Sequence, residues 1–160
     1  MQRITLWALS LFVAVIFVQS TFFKFSGAEE TMIIFNTLGA WLSSISLPTA
    51  LAEAFGHYGA YGVGIAELIA AALILIPATR RYGAALSLLV ITGAVFAHLF
   101  TPLGVDRVVD AAGTTDGGAL FYTALAVWVS SAVILGLSLR QSDARSDHTP
   151  AYPETVAQPS

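Results

Sequence analysis

Four apolar runs, each about as long as a bilayer is thick, decide what this chain is able to fold into. They cover residues 4–23, 59–78, 82–100 and 119–139. A span needs about 20 apolar residues, and hydrocarbon offers no water to backbone N–H and C=O groups, so each run is expected to be an α-helix. Of seven basic and ten acidic side chains, only Glu67 falls inside a run. Charged residues make up 11% of the chain, against about 25% in soluble domains, which is too little to cover a globule in water. The expected fold class is an all-α integral membrane protein, a four-transmembrane-helix bundle over residues 1–140. A chain of 160 residues leaves no room for a separate soluble catalytic domain.

The first run follows Met1-Gln2-Arg3 and so has the basic start of a signal peptide. Its apolar core exceeds the usual signal length of about 7–15 residues and lacks an A-x-A-like cleavage site. A retained first span is the expectation. Basic residues set the orientation, because cytoplasmic flanks collect Lys and Arg. With the amino terminus inside, Arg3, Arg80, Arg81, Arg140 and Arg145 are cytoplasmic, while Lys24 and Arg107 are outside. Both termini then lie in the cytoplasm.

Residues 24–58 are too long for a plain turn and too amphipathic for disorder. Ser26 and Glu29 fit a capping box, after which Met32, Phe35, Leu38, Trp41, Leu42 and Ile45 recur at helical spacing. An interfacial amphipathic helix between spans 1 and 2 is expected, followed after Pro48 by a short separate piece over residues 50–55. A fifth span is the competing reading, opposed by Glu53, His57 and Pro48. Residues 101–118 carry Asp106, Arg107, Asp110 and Asp116 among glycines and read as a solvated connection. Residues 141–160, with three of the six prolines, read as a disordered cytoplasmic tail.

The absence of cysteine excludes disulfides, thiolate metal sites and Cys-x-x-Cys redox relays. Any electron transfer must therefore use an external cofactor. A net charge of -3 with scattered basic residues excludes nucleic-acid binding.

Glu67 is the most informative candidate site residue. A charge near mid-span costs at least about 2.5 kcal/mol on insertion scales, so it has to be shielded, paired or protonated. Val63, Gly64, Ala70 and Ala71 share its helical face, and such a small-residue face packs against other helices. Glu67 is expected to point into the bundle, either as a ligand contact or as half of a structural pair. Lys24 closes the first span, with Gln19 below it; measured from residue 59, Glu67 sits too deep to be an obvious partner. His98 near the end of the third span is a titratable candidate, with His57 in the adjoining loop. No acidic or second-helix histidine spacing completes a metal set. Tyr122 and Trp128 on the fourth span, with Tyr58, Tyr61, Phe96 and Phe100, suggest either an interfacial aromatic belt or a pocket for a flat, quinone-like ring.

Phe23-Lys24-Phe25-Ser26-Gly27 at the end of the first span, the long amphipathic connection, Gly62-Val63-Gly64-Ile65-Ala66-Glu67-Leu68 and the Arg80-Arg81 turn together resemble the DoxX-like family of small four-span membrane proteins. Lys24 is similar to the basic residue that commonly closes the first helix in that family, and Glu67 to its second-helix acid. The resemblance implies a multi-pass protein of the bacterial inner membrane, an accessory or quinone-interacting subunit of a membrane oxidoreductase system, without intrinsic cofactor. Lys24 and Glu67 would then be ligand-binding residues, beside Gln19, His98 and Tyr122, which are candidates from residue type and position alone; the partners would be the lipid bilayer and either membrane redox subunits or further copies of itself. Relatives of chaperone-like character keep a non-enzymatic assembly role open. A small-molecule transporter is a third reading, with no broken or repeated spans to support it.

Overall fold

A computed structural model describes residues 2–146, with side chains as far as Gln141. It holds five helices: α1 (Gln2–Phe25), α2 (Glu29–Ser44), α3 (Thr49–Leu75), α4 (Arg80–Phe100) and α5 (Ala119–Ser146). The only strand-like pairing among the described residues is an isolated bridge between Val108 and Thr115. Four helices, α1, α3, α4 and the Ala119–Gln141 part of α5, are long and apolar enough to cross a membrane. They form a ring in the order α1, α3, α4, α5, closed by α5 against α1, and α2 lies mainly on α3.

The buried residues of α1 are Leu6, Ser10, Val13, Ala14, Phe17 and Thr21, one stripe at helical spacing. Large side chains on the other face, among them Ile4, Leu11, Val15, Val18 and Phe22, are exposed on the bare bundle. In α3 the inward face is small: Ala52, Ala60, Gly64, Ala70 and Ala71, with Glu67 and Ile74. Small residues let helices approach closely, which is how helices associate where burial from water no longer drives them. Hydroxyls join α4 to α5: Ser87 and Ser131 lie 2.6 Å apart in the core, and the Trp128 indole donates to Thr92 at 3.1 Å.

The second span departs from expectation. α3 begins at Thr49, so the short piece expected over residues 50–55 is its first turns, and Pro48 is the residue that precedes it. Glycines 56 and 59 do not break the helix because their bare faces receive α2: a Cβ on Gly59 would lie 2.9 Å from the Phe35 ring. At 1.5 Å per residue the helix is about 40 Å long, longer than a hydrocarbon core of about 30 Å. At the other end Pro77 disfavours helix in the residue before it, and α3 stops at Leu75.

The turn to α4 is tight. Thr79 donates to the Leu73 carbonyl at 2.9 Å, and the Arg80 guanidinium, bonded to the Ile74 carbonyl at 3.1 Å, lies 4.7 Å from the centre of the Trp7 ring. One of the two turn arginines is thus drawn inward, held by a cation–π contact.

Three further expectations are corrected. Ser26 makes no capping box; its hydroxyl donates back to Phe23, and α2 starts after Ala28 without a side-chain cap. Residues 101–118 are an ordered structure rather than a loosely solvated connection. Arg107 is 2% exposed and pairs with Glu30 of α2 and, at 3.7 Å, with Asp116. Asp116 also accepts from the N–H groups of Gly118 and Leu120 as α5 begins, and Glu29 accepts from the Ala111 N–H at 2.8 Å. Finally, residues 141–146 continue α5; the rest of the expected disordered tail, with His148, lies outside the described residues.

Burial of Asp116 pushes its carboxyl up, but the N–H groups of Leu120 and Gly118 and the nearby Arg107 outweigh that and hold it below the usual carboxylate range. A folded-state value below the unfolded one stabilises at pH above the unfolded value of about 4 and is lost as pH falls through the folded value. Hydrogen exchange of the Gly118 and Leu120 amides is therefore expected to stay slow from neutral pH down to about 4, once corrected for the intrinsic rate, and to quicken only below it. A second test concerns the hairpin. A Cβ on Gly83 would lie 2.4 Å from the Ile74 backbone nitrogen, so Gly83→Ala should cost about 1–3 kcal/mol as overpacking, read as a lower unfolding midpoint in detergent.

Candidate functional site

The site starts from where α1 and α3 run side by side. Thr21 belongs to the buried stripe of α1, and its hydroxyl donates to the Gly64 carbonyl at 3.1 Å. That contact sets the level of the two helices and brings Ser20 and Lys24, one turn apart, opposite Glu67. The Lys24 Nζ lies 3.0 Å from both Oε1 and Oε2 of Glu67 and also donates to Ser20. Ser20 in turn donates to Glu67 Oε1 at 3.2 Å, and Thr21 Oγ1 is 3.4 Å from Oε2. The carboxylate is thus enclosed by one cation and two hydroxyls.

Its side chain is 7% exposed and that of Lys24 13%. A buried charge is tolerable when it is paired and its remaining lone pairs are bonded. Both conditions hold. The depth mismatch expected from sequence vanishes because α3 extends ten residues beyond Gly59, so that residue 59 is not the end of the helix. The lysine stem runs back along α1 past Ser20, the direction in which helical side chains lean.

Beside the pair lies a cavity of about 290 Å³, walled by Lys24, by Met32 and Phe35 of α2, and by Gly56, His57, Tyr58, Ala60 and Tyr61 of α3. Phe25 and Tyr61 are in ring contact at 5.8 Å, Phe35 and Phe55 at 5.7 Å. A cation therefore meets an aromatic-walled space. A second cavity, about 220 Å³, lies along the same α2–α3 contact and is lined by Asn36, Ser43, Glu53 and His57 among small residues.

Of the five residues singled out in the sequence, the structure brings two together, Lys24 and Glu67. Gln19 faces outward beside Val18. His98 is buried, with Nδ1 2.7 Å from the Gly104 carbonyl and its ring edge-on to Phe121; it fastens the end of α4 to the following loop. Tyr122 is 62% exposed. The aromatic residues likewise divide: Tyr58 and Tyr61 line the cavity, whereas Phe96 stacks with Phe100 and touches Trp41. Sequence reasoning missed Ser20 and Thr21. Thr21 was detectable, since it continues the period of Leu6, Ser10, Val13, Ala14 and Phe17, whereas Gln19 does not. Arg107 gave no such signal in a Gly- and Asp-rich loop.

Comparison with family models, with curated proteins and with solved structures gives no match for this chain. The functional reading therefore rests on the geometry of this site. That geometry ranks its own members: Thr21→Val removes a hydroxyl while keeping the shape and should cost about 0.6–1.7 kcal/mol, the range of interhelical hydrogen bonds in membranes. Lys24→Met leaves the Glu67 carboxylate without its cation and should cost about 3–5 kcal/mol. Unfolding in mixed micelles measures both, and equal effects would show that the cation carries no special weight.

Proposed function

We propose that this chain is a DoxX-like protein of the bacterial inner membrane that binds a quinone in the Lys24 cavity and serves as an accessory subunit of a membrane oxidoreductase system. The observation that carries the reading is an ammonium, oriented by a buried carboxylate, in the wall of an otherwise largely aromatic and apolar cavity. Lys24 and Glu67 together are neutral, so the pair favours a neutral ligand over an anion. Ser20 and both Glu67 oxygens take the three donors of the ammonium, so a carbonyl oxygen accepts from it in place of Ser20, and a flat ring packs against Tyr58, Tyr61 and Phe35. The volume, about 290 Å³, is near the low end of ligand pockets, about 300–1,000 Å³, which suits a ring whose apolar tail stays in lipid. When bound, a quinone supplies the capacity to take up two electrons and two protons. The protein binds and orients it, and with no cysteine in the chain the electrons come from a partner.

A non-enzymatic assembly role is favoured by a different observation: Ser20 and both Glu67 oxygens already accept from Lys24, as in a lock between two helices. Glu67→Gln separates the two readings, because it keeps shape and hydrogen bonding and removes the charge. Under the quinone reading the variant still folds, though less stably, and binds a short-chain quinone analogue more weakly, because the Lys24 ammonium loses the carboxylate that orients it. Aromatic fluorescence quenching in detergent reads this. Wild-type protein that fails to bind the analogue, or a variant that binds it unchanged, would contradict the quinone reading; a variant that unfolds at lower temperature without altered binding would favour the lock.

The proposed orientation has both termini in the cytoplasm, with Arg3, Arg80, Arg81 and Arg140 on that side. α2 then lies in the outer interface, and the cavity opens toward the outer leaflet. Reporter fusions after Arg81 and Arg140 are expected to read cytoplasmic and one near Asp110 external. The reverse pattern would turn the site to the other leaflet.

A further inference from the structure

The amino-terminal half of α2 forms one wall of the Lys24 cavity, with Thr31 and Phe35 buried on its inner side and its polar ties gathered in its first turn. Behind it, α2 crosses α3 at a pair of glycines. A Cβ on Gly39 would lie 3.1 Å from both the Ala52 carbonyl oxygen and the Gly56 Cα, so the backbones touch. Ahead of it, Gly27 has φ +66° and nothing within 4 Å of where a Cβ would be; this is a left-handed position that glycine occupies without strain. Between pivot and hinge stand Met32 and Phe35, the two α2 residues in the cavity wall.

What holds this segment down lies in its first turn. Glu30 receives the Arg107 guanidinium, and Glu29 receives the Ala111 N–H. Arg107 is in turn held by Asp116, which is bonded to the start of α5. The Arg107 side chain is 1% exposed, and its Nε and Nη1 atoms are buried without hydrogen-bond partners. Arg107 thus ties Glu30, on a neighbouring helix, to Asp116 at the start of α5.

We propose that the amino-terminal half of α2 is a lid over the Lys24 cavity, swinging between Gly27 and the Gly39–Gly56 crossing, with Arg107 and Glu30 as its latch. The role of this lid as a gate rests on the reading of the cavity as a ligand site. The motion itself does not. Opening separates Met32 and Phe35 from Tyr58 and Tyr61 and admits a ring to Lys24; closing restores the aromatic wall. The latch couples the state of the cavity to residues 101–118, which are distant in sequence and reach the lid through Arg107 on Glu30 and the Ala111 N–H on Glu29.

The natural chain has no cysteine, so a single reporter can be placed cleanly. Ala60 lies in the cavity wall and is 6% exposed, while Ala84 is fully buried in the four-helix core. Maleimide labelling of Ala60→Cys and of Ala84→Cys is compared in full-length protein in detergent, with the latch intact, with Arg107→Gln and with Glu30→Gln. Glu30 is one-third exposed, so its replacement tests the latch even where loss of Arg107 prevents folding. The expected result is that Glu30→Gln, and Arg107→Gln where it folds, label Ala60→Cys on the order of tenfold faster, the scale on which loss of a partly buried ion pair changes an opening equilibrium, with Ala84→Cys unchanged. Unchanged labelling at Ala60→Cys overturns the lid, and so does an equal rise at Ala84→Cys, which signals general loosening. No ligand is present in this assay. Faster labelling in a protein that binds no quinone analogue would leave the lid standing and remove the quinone reading; slow labelling with intact binding would do the reverse.

Discussion

The Lys24–Glu67 pair is the interaction on which the rest of this bundle depends. A carboxylate placed in a span has few stable solutions, and this chain adopts the one in which a lysine from the end of the neighbouring helix meets both oxygens. The solution imposes conditions on everything near it. α1 and α3 must be adjacent and antiparallel, their levels must match within a fraction of a turn, and the facing residues must be small enough for the helices to close on the charge. Thr21 on Gly64 supplies the level, and Ala60, Gly64, Ala70 and Ala71 supply the space. A Cβ on Gly64 would lie 2.9 Å from the Phe25 ring, which is half-exposed and would have to swing aside.

Much of this was legible in the sequence, for reasons that can be named. Spans are read from length and apolarity, since hydrocarbon permits little else, and the small face around Glu67 follows from helical spacing. The pairing itself was obscured by one boundary. Pro48 with the polar Glu53 and His57 argued for a short piece apart from a span starting at residue 59, which placed Glu67 too far from Lys24; Gly56 and Gly59 stand at that apparent break. The helix continues because α2 packs on those glycines, a tertiary fact that no local propensity contains.

The loop of residues 101–118 illustrates the opposite error. Aspartates among glycines have the composition of a solvated connection, yet Asp116 holds the start of α5 and also contacts Arg107, and Arg107 reaches Glu30 in another helix. Among the described residues the ion pairs form two centres with different tasks. One lies between two spans and faces a cavity; the other lies among the connections and secures the helix that walls that cavity. His98 belongs to the second, as a tie between α4 and its loop, although its residue type suggested chemistry. The distinction comes from partners and burial, which residue identity alone does not carry.

The central claim is that Lys24 and Glu67 act as one unit, and a double-mutant cycle tests it most directly. Unfolding free energies in mixed micelles are compared for the natural chain, Lys24→Met, Glu67→Gln and the double variant. Residues in direct contact show coupling of about 0.5–3 kcal/mol. The account predicts a value in the upper half of that range, with the double variant much less damaged than the sum of the singles, because neither substitution alone removes both charges. Additive effects of the two substitutions would contradict it, since they would mean that the helices are held together without the pair.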